Sequence, residues 1–370
     1  MGGGVRWSWL FDALCQWSGQ NRPDVRGHHH AWPVGHYFSA TGPIRAQKKF
    51  PLDIPEPHGK EKFMMKHVMA MASLLLMAMP VKAQDISLGL DWFVNPDHAP
   101  IIIAEELGLF EDRGLNVDIV APSDPSEPPR LVAAGRMDMA VSYQPQLHLQ
   151  REEGLPLLWA GTLIATPLNC MLVRADGPIK TLSDLKGRRI GYSVSGVEQA
   201  LVTALLKEGG LTLDDVTMTN VNWSLSPSLM SGQVDAVIGA FRNFELTQMR
   251  LEGVEGRCFF LEEHGVPSYD ELIFVVRETQ AEAAWIDEFM DAIAEATQRI
   301  INDPDGMWAL YVKAYPELDD ELNINAWRDT IPRFALRPSA FDARRYEQFA
   351  AFLMENKLID EAQDVDKLRR

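Results

Sequence analysis

The sequence predicts an α/β protein built from two similar lobes that face each other across a cleft. From Ile86 onward, strand and helix patterns alternate with short connections, which is typical of this class. A helix–Gly–x–x–Asp–strand unit occurs twice, in Leu131–Tyr143 and Leu229–Phe241. Two apolar strands, Cys170–Arg174 and Leu272–Arg277, are predicted to carry the chain from one lobe to the other and back. Small ligands bind in clefts of this kind, at the carboxyl ends of strands.

The first lobe opens with a strand that alternates polar and apolar residues and then reaches a Pro/Asn/Asp turn. The helix that follows begins with a proline in its first turn and ends before Gly108. The predicted elements are, in order, strand Ile86–Trp92, helix Pro100–Leu107, strand Asn116–Val120, helix Pro129–Ala134 and strand Met137–Ser142.

In the second half, a helix is expected from Val197, where Ser195 and Glu198 fit an S-x-x-E capping box. Apolar residues at helical spacing from Ala281 predict a long helix that ends at Asp303-Pro304. Further helices up to residue 361 are expected to pack on the first lobe.

The N-terminal part contains the features of a secretory signal peptide in residues 64–83. A short polar start precedes the apolar run Val68–Pro80, and Val81-Lys82-Ala83 offers small residues for cleavage. The apolar run is too short to span a bilayer, which needs about 20 residues. We therefore expect translation to start at Met64 or Met65, cleavage near Ala83 and a periplasmic location. Residues 1–63 are interpreted as a mis-annotated leader, whose His28–His30 cluster is a weak alternative metal site, and a buried helix is the alternative for the apolar run.

The predicted lobes are residues 84–172 with 275–370 for the first and residues 173–274 for the second. Residues 1–83 hold 10 of the 35 Lys and Arg residues but only 5 of the 52 Asp and Glu residues, so the remainder carries a net charge of −22. Such a surface repels nucleic acid and anionic membranes. We expect no nucleic-acid partner and a monomer.

Two cysteines, Cys170 and Cys258, follow the predicted cleavage point. They could pair in an oxidising compartment, but two cysteines 88 residues apart are weak support for a disulfide. Two unpaired, buried thiols are the favoured interpretation.

Catalytic motifs are absent from the sequence: it has no P-loop, no G-x-S-x-G and no H-E-x-x-H. We accordingly predict no catalytic residues, no cofactor and no metal. Polar and aromatic residues gather instead at strand ends, which favours a recognition site.

The aromatic candidates are Trp92, at the end of the first strand, and Tyr143, at the end of the first repeat. A Trp there could stack on a planar heterocycle or could belong to the core. Tyr143 could line the cleft or only pack, and His98 could bind or simply help to begin a helix. The exposed N–H groups of the loop Ser193–Gly196 could hold acceptor atoms of a ligand.

Glu245 and Asn243 follow the strand of the second repeat. A carboxylate in an apolar cleft is costly unless it is paired. Because an aminopyrimidine edge offers an N–H donor beside a basic ring nitrogen, Glu245 could make a two-point, charge-assisted contact with it. The alternative is a solvated glutamate at a helix start. Tyr269 and Glu271 could line the cleft or mark the hinge.

Several motifs, taken together and in order, resemble the thiamin-pyrimidine family. They are LDWFVNPDHAP at 90–100, SYQPQ at 142–146, TPLN at 166–169, GYSVSG at 191–196, GAFRNFE at 239–245 and GVPSYDEL at 265–272. The likeness is greatest to the formylaminopyrimidine-binding proteins of thiamin-precursor salvage transporters, in which no cofactor is expected.

That resemblance implies a type II periplasmic binding protein fold and an ABC transporter permease as partner. It further implies that Trp92 and Tyr143 flank a pyrimidine ring, that the Ser193–Gly196 loop holds polar substituents, and that Glu245 binds the aminopyrimidine edge. It implies weaker roles for another set of residues: His98, Asn169, Trp223, Asn243, Tyr269 and Glu271.

The family also contains an enzyme that makes the pyrimidine from its own histidine and pyridoxal phosphate. That branch has a Lys and a His where this sequence reads Ser142 and Gln146, and it has a cysteine cluster that is absent here. The sequence therefore favours a carrier. Alternatives are a binding protein for an alkanesulfonate, taurine or riboflavin, and a periplasmic sensor or accessory enzyme.

Overall fold

The computed structural model describes residues 83–370. The predicted leader, and the predicted signal peptide apart from Ala83, lie outside the described residues. Within residues 83–370, no helix is both long enough and apolar enough to cross a membrane.

The described residues form two five-stranded mixed sheets, which confirms the predicted α/β class and its two lobes. The first sheet has the order β2-β1-β3-β10-β4 and the second the order β7-β6-β8-β5-β9. The strands are β1 Gln84–Gly89, β2 Leu115–Val120, β3 Met139–Ser142, β4 Leu157–Ile164, β5 Asn169–Arg174, β6 Arg189–Tyr192, β7 Thr217–Asn220, β8 Ala236–Phe241, β9 Gly256–Phe260 and β10 Leu272–Arg277.

Helices pack on both sheets, and the last four follow β10 with no named strand between them. In residues 83–370 the α-helices are α1 Ala99–Glu106, α2 Pro128–Ala133, α3 Gln144–Glu152, α4 Val197–Glu208, α5 Leu225–Met230, α6 Glu245–Leu251, α7 Trp285–Asn302, α8 Pro304–Ala314, α9 Glu321–Thr330 and α10 Ala343–Glu355.

The two sheets repeat one plan, as the sequence repeat predicts. In each, three parallel strands pair in the order second, first, third, and the third strand then meets an antiparallel strand. The repeated aspartate has the same task in both sheets, since Asp138 accepts the N–H of Ser87 and Asp235 accepts the N–H of Arg189, each at 2.9 Å. This bond joins the third strand to the first at its start.

The chain passes from the first sheet to the second between Ile164 and Asn169, and returns between Phe260 and Leu272. Strand β5 therefore lies wholly in the second sheet, and β10 wholly in the first. The sequence predicts the crossings at positions 172 and 274, and both occur earlier in the chain. Each apolar strand pairs within its new sheet from its first residue onward.

Helix α10 corrects the expectation that the C-terminal helices pack on the first lobe alone. Tyr346 and Ala350 join the core beneath the first sheet. Phe349, Phe352 and Leu353, on another face of the same helix, join the core of the second lobe. An amphipathic pattern shows that a helix has a buried face but does not show which core covers it.

The favoured interpretation of two unpaired thiols is wrong. Cys170 on β5 and Cys258 on β9 form a disulfide, with Cα atoms 5.6 Å apart. The two strands are antiparallel neighbours, which brings residues 88 positions apart in sequence within bonding range. Sequence separation carried no information about this pairing.

Candidate functional site

A cavity lies between the two lobes, at the carboxyl ends of the central strands. The space within its walls is about 680 Å³ when the part open to solvent is counted. Clefts at this place in a fold are common sites for small ligands. The first-lobe side and the crossovers contribute Asp91, Trp92, Asn95, Asp97, His98, Tyr143, Pro145, Asn169, Tyr269, Glu271 and Leu272. The second-lobe side contributes Ser193, Val194, Val197, Glu198, Leu201, Leu225, Gly239, Phe241, Phe244 and Glu245.

The structure brings most of the predicted site residues to this cavity. Those in its wall are Trp92, His98, Tyr143, Asn169, Ser193, Glu245, Tyr269 and Glu271. The other four, Ser195, Gly196, Trp223 and Asn243, lie outside the lining, and the first two are exposed.

Trp92 does not end the first strand as predicted, because β1 stops at Gly89 and Trp92 lies in the turn beyond it. Its half-buried ring meets Trp223 of the second lobe edge-on, with ring centroids 4.5 Å apart. Trp223 itself does not line the cavity, and the two rings form a contact between the lobes. Tyr143 directly follows β3, and its hydroxyl donates to Asp91 at 2.8 Å.

His98 is fully buried and bound to the protein. The N–H of Asn95 points at His98 Nδ1 at 3.4 Å, so Nε2 carries the proton that Asp91 Oδ1 accepts at 2.9 Å. Asp91 therefore receives hydrogen bonds from both His98 and Tyr143. Sequence reasoning missed Asp91, although it stands beside Trp92 in the first motif.

The loop Ser193–Gly196 differs from both predictions made for it. Its N–H groups are not open to a ligand: Ser193 and Val194 donate to Glu198, Ser195 to Ser126, and Gly196 to Gln199. The predicted capping box of Ser195 with Glu198 is wrong for the same reason. Gln199 caps the helix start, and Glu198 turns back beneath the loop.

Glu245 is the first residue of α6, and it is buried rather than solvated. Its carboxyl group accepts the N–H of Phe241 at 2.6 Å. Burial raises the pKa of Glu245 to about 8, and the negative charge of Asp97 adds to this effect. The side chain is therefore able to share a proton with a bound base near neutral pH.

Glu271 lies on the returning crossover, and it too is enclosed. It accepts N–H groups of Leu168 at 2.5 Å and Asn169 at 2.8 Å, together with the Tyr269 hydroxyl at 3.2 Å. Burial raises the pKa of Glu271 to about 7 against these donors. Tyr269 and Glu271 thus both line the cavity and hold the crossover.

Asp97 joins the two lobes. Its Oδ1 accepts Asn243 Nδ2 of the second lobe at 2.6 Å and the Thr330 hydroxyl of α9 at 2.8 Å. Burial raises the pKa of Asp97 to about 6. Asn243 therefore makes an inter-lobe contact behind the cavity, and its Oδ1 is buried without a hydrogen-bond partner.

The cavity wall carries five carboxyl groups and no Lys or Arg, within residues 83–370: Asp91, Asp97, Glu198, Glu245 and Glu271. The sequence predicted two of the five. The other three lie in or next to quoted motifs but could not be ranked, because an Asp or Glu near a turn is usually solvated. No group of three His, Cys, Asp or Glu residues in the described part of the chain is arranged to hold a metal ion.

The chain is similar to known proteins in sequence and in fold. Residues 95–307 match the family described as NMT1/THI5 like. The chain belongs to this family. It is 49% identical over 290 residues to a Haemophilus influenzae protein that is assigned by name to thiamine biosynthesis, covering 78% of this chain and 92% of that protein.

Two further relatives are named for different functions, one for binding a pyrimidine and the other for synthesising one. A formylaminopyrimidine-binding protein of Halalkalibacterium halodurans is 31% identical over 224 residues, covering 60% of this chain and 68% of that protein. A 4-amino-5-hydroxymethyl-2-methylpyrimidine phosphate synthase of Uromyces fabae is 28% identical over 257 residues, covering 64% of this chain and 73% of that protein.

Solved structures confirm the fold of a periplasmic binding protein. The alkanesulfonate-binding protein from Xanthomonas axonopodis pv. citri superposes with a TM-score of 0.62 over 78% of this chain and 99% of that one. At 17% identity this likeness concerns the fold alone.

Proposed function

We propose that this chain is the substrate-binding component of an ABC importer, and that it captures an uncharged pyrimidine precursor of thiamin between its lobes. The observation that carries the proposal is the cavity wall, which combines Trp92, Tyr143 and the buried Glu245 with four further carboxyl groups and no Lys or Arg in the described residues. The formylaminopyrimidine-binding relative supports this ligand class.

The recognition chemistry follows from the wall. Trp92 and Tyr143 offer ring faces to a planar heterocycle, and stacking contributes about 0.5–1.5 kcal/mol beyond area burial. Glu245 accepts the exocyclic N–H of an aminopyrimidine while one proton is shared between its carboxyl group and the ring nitrogen. A pKa of about 8 suits this sharing, since both ionic forms are accessible near neutral pH.

A sulfonate ligand fits the cavity poorly. A sulfonate is a permanent anion, and binding it in a dry cavity calls for cationic or N–H donors. The wall has no Lys or Arg within residues 83–370, and the loop N–H groups at Ser193 and Val194 already donate to Glu198.

The disulfide is consistent with export to an oxidising compartment. Disulfides persist in oxidising compartments, which include the bacterial periplasm. Cys170–Cys258 therefore supports the periplasmic location that the signal-like segment suggests. A permease is the partner that this fold serves in importers.

A carrier role, rather than catalysis, fits the first repeat. Ser142 and Gln146 occupy the positions that the pyrimidine-making branch fills with Lys and His. Both are buried, and Ser142 donates to Gln146 at 3.0 Å away from the cavity lining. Neither side chain offers a nucleophilic amine or an imidazole to a cofactor.

A thermal-shift panel tests the proposal. Formylaminopyrimidine and hydroxymethylpyrimidine should raise the melting temperature of the purified protein, whereas taurine, an alkanesulfonate and riboflavin should not. A clear shift with one of these other solutes and none with any pyrimidine would overturn the proposal.

A further inference from the structure

Glu198, in the first turn of α4, is a buried carboxyl group of the cavity wall with no cationic partner in the described residues. It is 4% exposed. Its Oε2 accepts the N–H groups of Ser193 at 2.6 Å and Val194 at 3.0 Å. Both backbone donors thus bind Oε2, and neither binds Oε1.

Oε1 lies against Gly239, where a Cβ atom would overlap it. The same glycine donates its N–H to Asn169 Oδ1 at 2.9 Å. Asn169 is buried, and its Nδ2 has no acceptor among residues 83–370. Glu198, Gly239 and Asn169 all line the cavity, and the side chains of Glu198 and Asn169 both lie against Gly239.

The acid form of Glu198 is the one that this position favours. Glu271 on the returning crossover is the titratable group whose charge acts on Glu198 in the described chain, and it opposes the ionisation of Glu198. Burial is the largest cause, and it raises the pKa of Glu198 to about 8. Because Oε2 accepts two N–H groups, the proton belongs on Oε1.

The other hydroxyl groups of the wall are already committed to the protein. Tyr143 donates to Asp91, Tyr269 donates to Glu271, and Ser193 donates to the carbonyl oxygen of Asn222. A ligand oxygen that needs a donor must therefore find it elsewhere in the cavity.

We propose that Glu198 and Asn169 donate to one uncharged acceptor oxygen of the ligand, and so select pyrimidines that carry a hydroxyl or formyl oxygen on the side arm. This inference rests on the proposed function and deepens it, since Glu245 reads the aminopyrimidine edge and Glu198 the substituent.

The test uses two probes that differ by one oxygen atom, 4-amino-5-hydroxymethyl-2-methylpyrimidine and 4-amino-2,5-dimethylpyrimidine. Calorimetric titration of the unaltered protein should give about a tenfold preference for the hydroxymethyl compound. Glu198→Ala should remove that preference, whereas Glu208→Ala, at the exposed end of the same helix, should keep it. An equal loss of affinity for both probes in Glu198→Ala would mean a structural role and overturn the inference.

The variant Glu198→Gln tests the inference with a substitution of nearly the same size and shape. The amide should keep the backbone contacts and act as a donor at every pH. In the unaltered protein the preference should fall from about tenfold at pH 7 to about twofold at pH 9, as the acid form is lost. In Glu198→Gln it should stay constant.

The titration of Glu245 affects the affinities of both probes equally, because both carry the same aminopyrimidine edge. It therefore cancels in the ratio of the two affinities. A preference that does not change with pH in the unaltered protein contradicts the inference. If neither probe binds the unaltered protein, the proposed function itself fails, and the inference fails with it.

Discussion

Carboxyl groups can share one cavity wall here because each one has its own donors from the protein. Asp91 has His98 and Tyr143, while Glu245 has the Phe241 N–H. Buried carboxyl groups without a cation tend towards the neutral form, because burial penalises charge. The wall is consequently a poor host for anions and a good one for bases and neutral donors.

Glu245 gives the sharpest single-residue prediction. Glu245→Ala should lower the affinity for hydroxymethylpyrimidine about 100-fold, since it removes both points of contact with the aminopyrimidine edge. Glu245→Gln should lower it about tenfold, because an amide keeps two-point geometry but cannot share the proton. Calorimetric titration at pH 7 measures both.

The matched control is Glu252→Ala, at the exposed C-terminal end of the same helix. It should bind the pyrimidine like the unaltered protein. Unchanged affinity in Glu245→Ala would show that the carboxyl group does not contact the ligand.

A substitution at Trp92 distinguishes a ring that stacks on the ligand from a ring that belongs to the core. Trp92 is half-buried in a turn, and its ring and that of Trp223 meet in a T-shaped arrangement. Trp92→Ala should reduce pyrimidine affinity at least tenfold through lost area and stacking, with little change in the melting temperature of the ligand-free protein.

Circular dichroism melting alongside titration measures both effects of Trp92→Ala. A large fall in melting temperature would mean that the ring belongs to the core and that the stacking interpretation is wrong.

At the scale of elements, the sequence predicted the strands and helices well where a pattern and a stop residue coincide. The repeat around Asp138 and Asp235 was predictable because each aspartate caps the start of its strand pair. The capping box at Ser195 was not, since S-x-x-E fits the sequence equally whether the glutamate caps the helix or turns into the cavity. Gln199, one residue later, takes the capping place.

The disulfide links the edge strand β9 to β5, whose first residue, Asn169, lines the cavity. Replacing both Cys170 and Cys258 by Ser should lower the free energy of unfolding by about 2–4 kcal/mol, since the bond closes a long loop. Urea unfolding of the oxidised protein and the double variant measures the difference.

Mass spectrometry of the non-reduced, digested protein checks the premise. A linked peptide pair containing Cys170 and Cys258 is expected. Recovery of both cysteines as free thiols from protein isolated from an oxidising compartment would contradict the bond.

For the whole molecule, the two-lobe plan followed from the repeat, but the connections between lobes did not. The contact of Asn243 with Asp97 joins residues 146 positions apart, and α10 reaches both cores through different faces. Such pairings depend on three-dimensional neighbours that no local pattern encodes. For the same reason, the predicted cavity contained the right strand ends but lacked Asp91, Asp97 and Glu198.

We expect the cavity to bind an uncharged aminopyrimidine and to reject anions. Isothermal titration of the purified protein at pH 7 with hydroxymethylpyrimidine, its phosphate ester and taurine tests it most directly. We expect saturable heat at one site per chain with hydroxymethylpyrimidine and none with the phosphate ester or taurine, because the wall has five carboxyl groups and no Lys or Arg in residues 83–370 to bind a phosphate or sulfonate group. Saturable binding of taurine or of the phosphate ester, with no response to the uncharged pyrimidine, would contradict it.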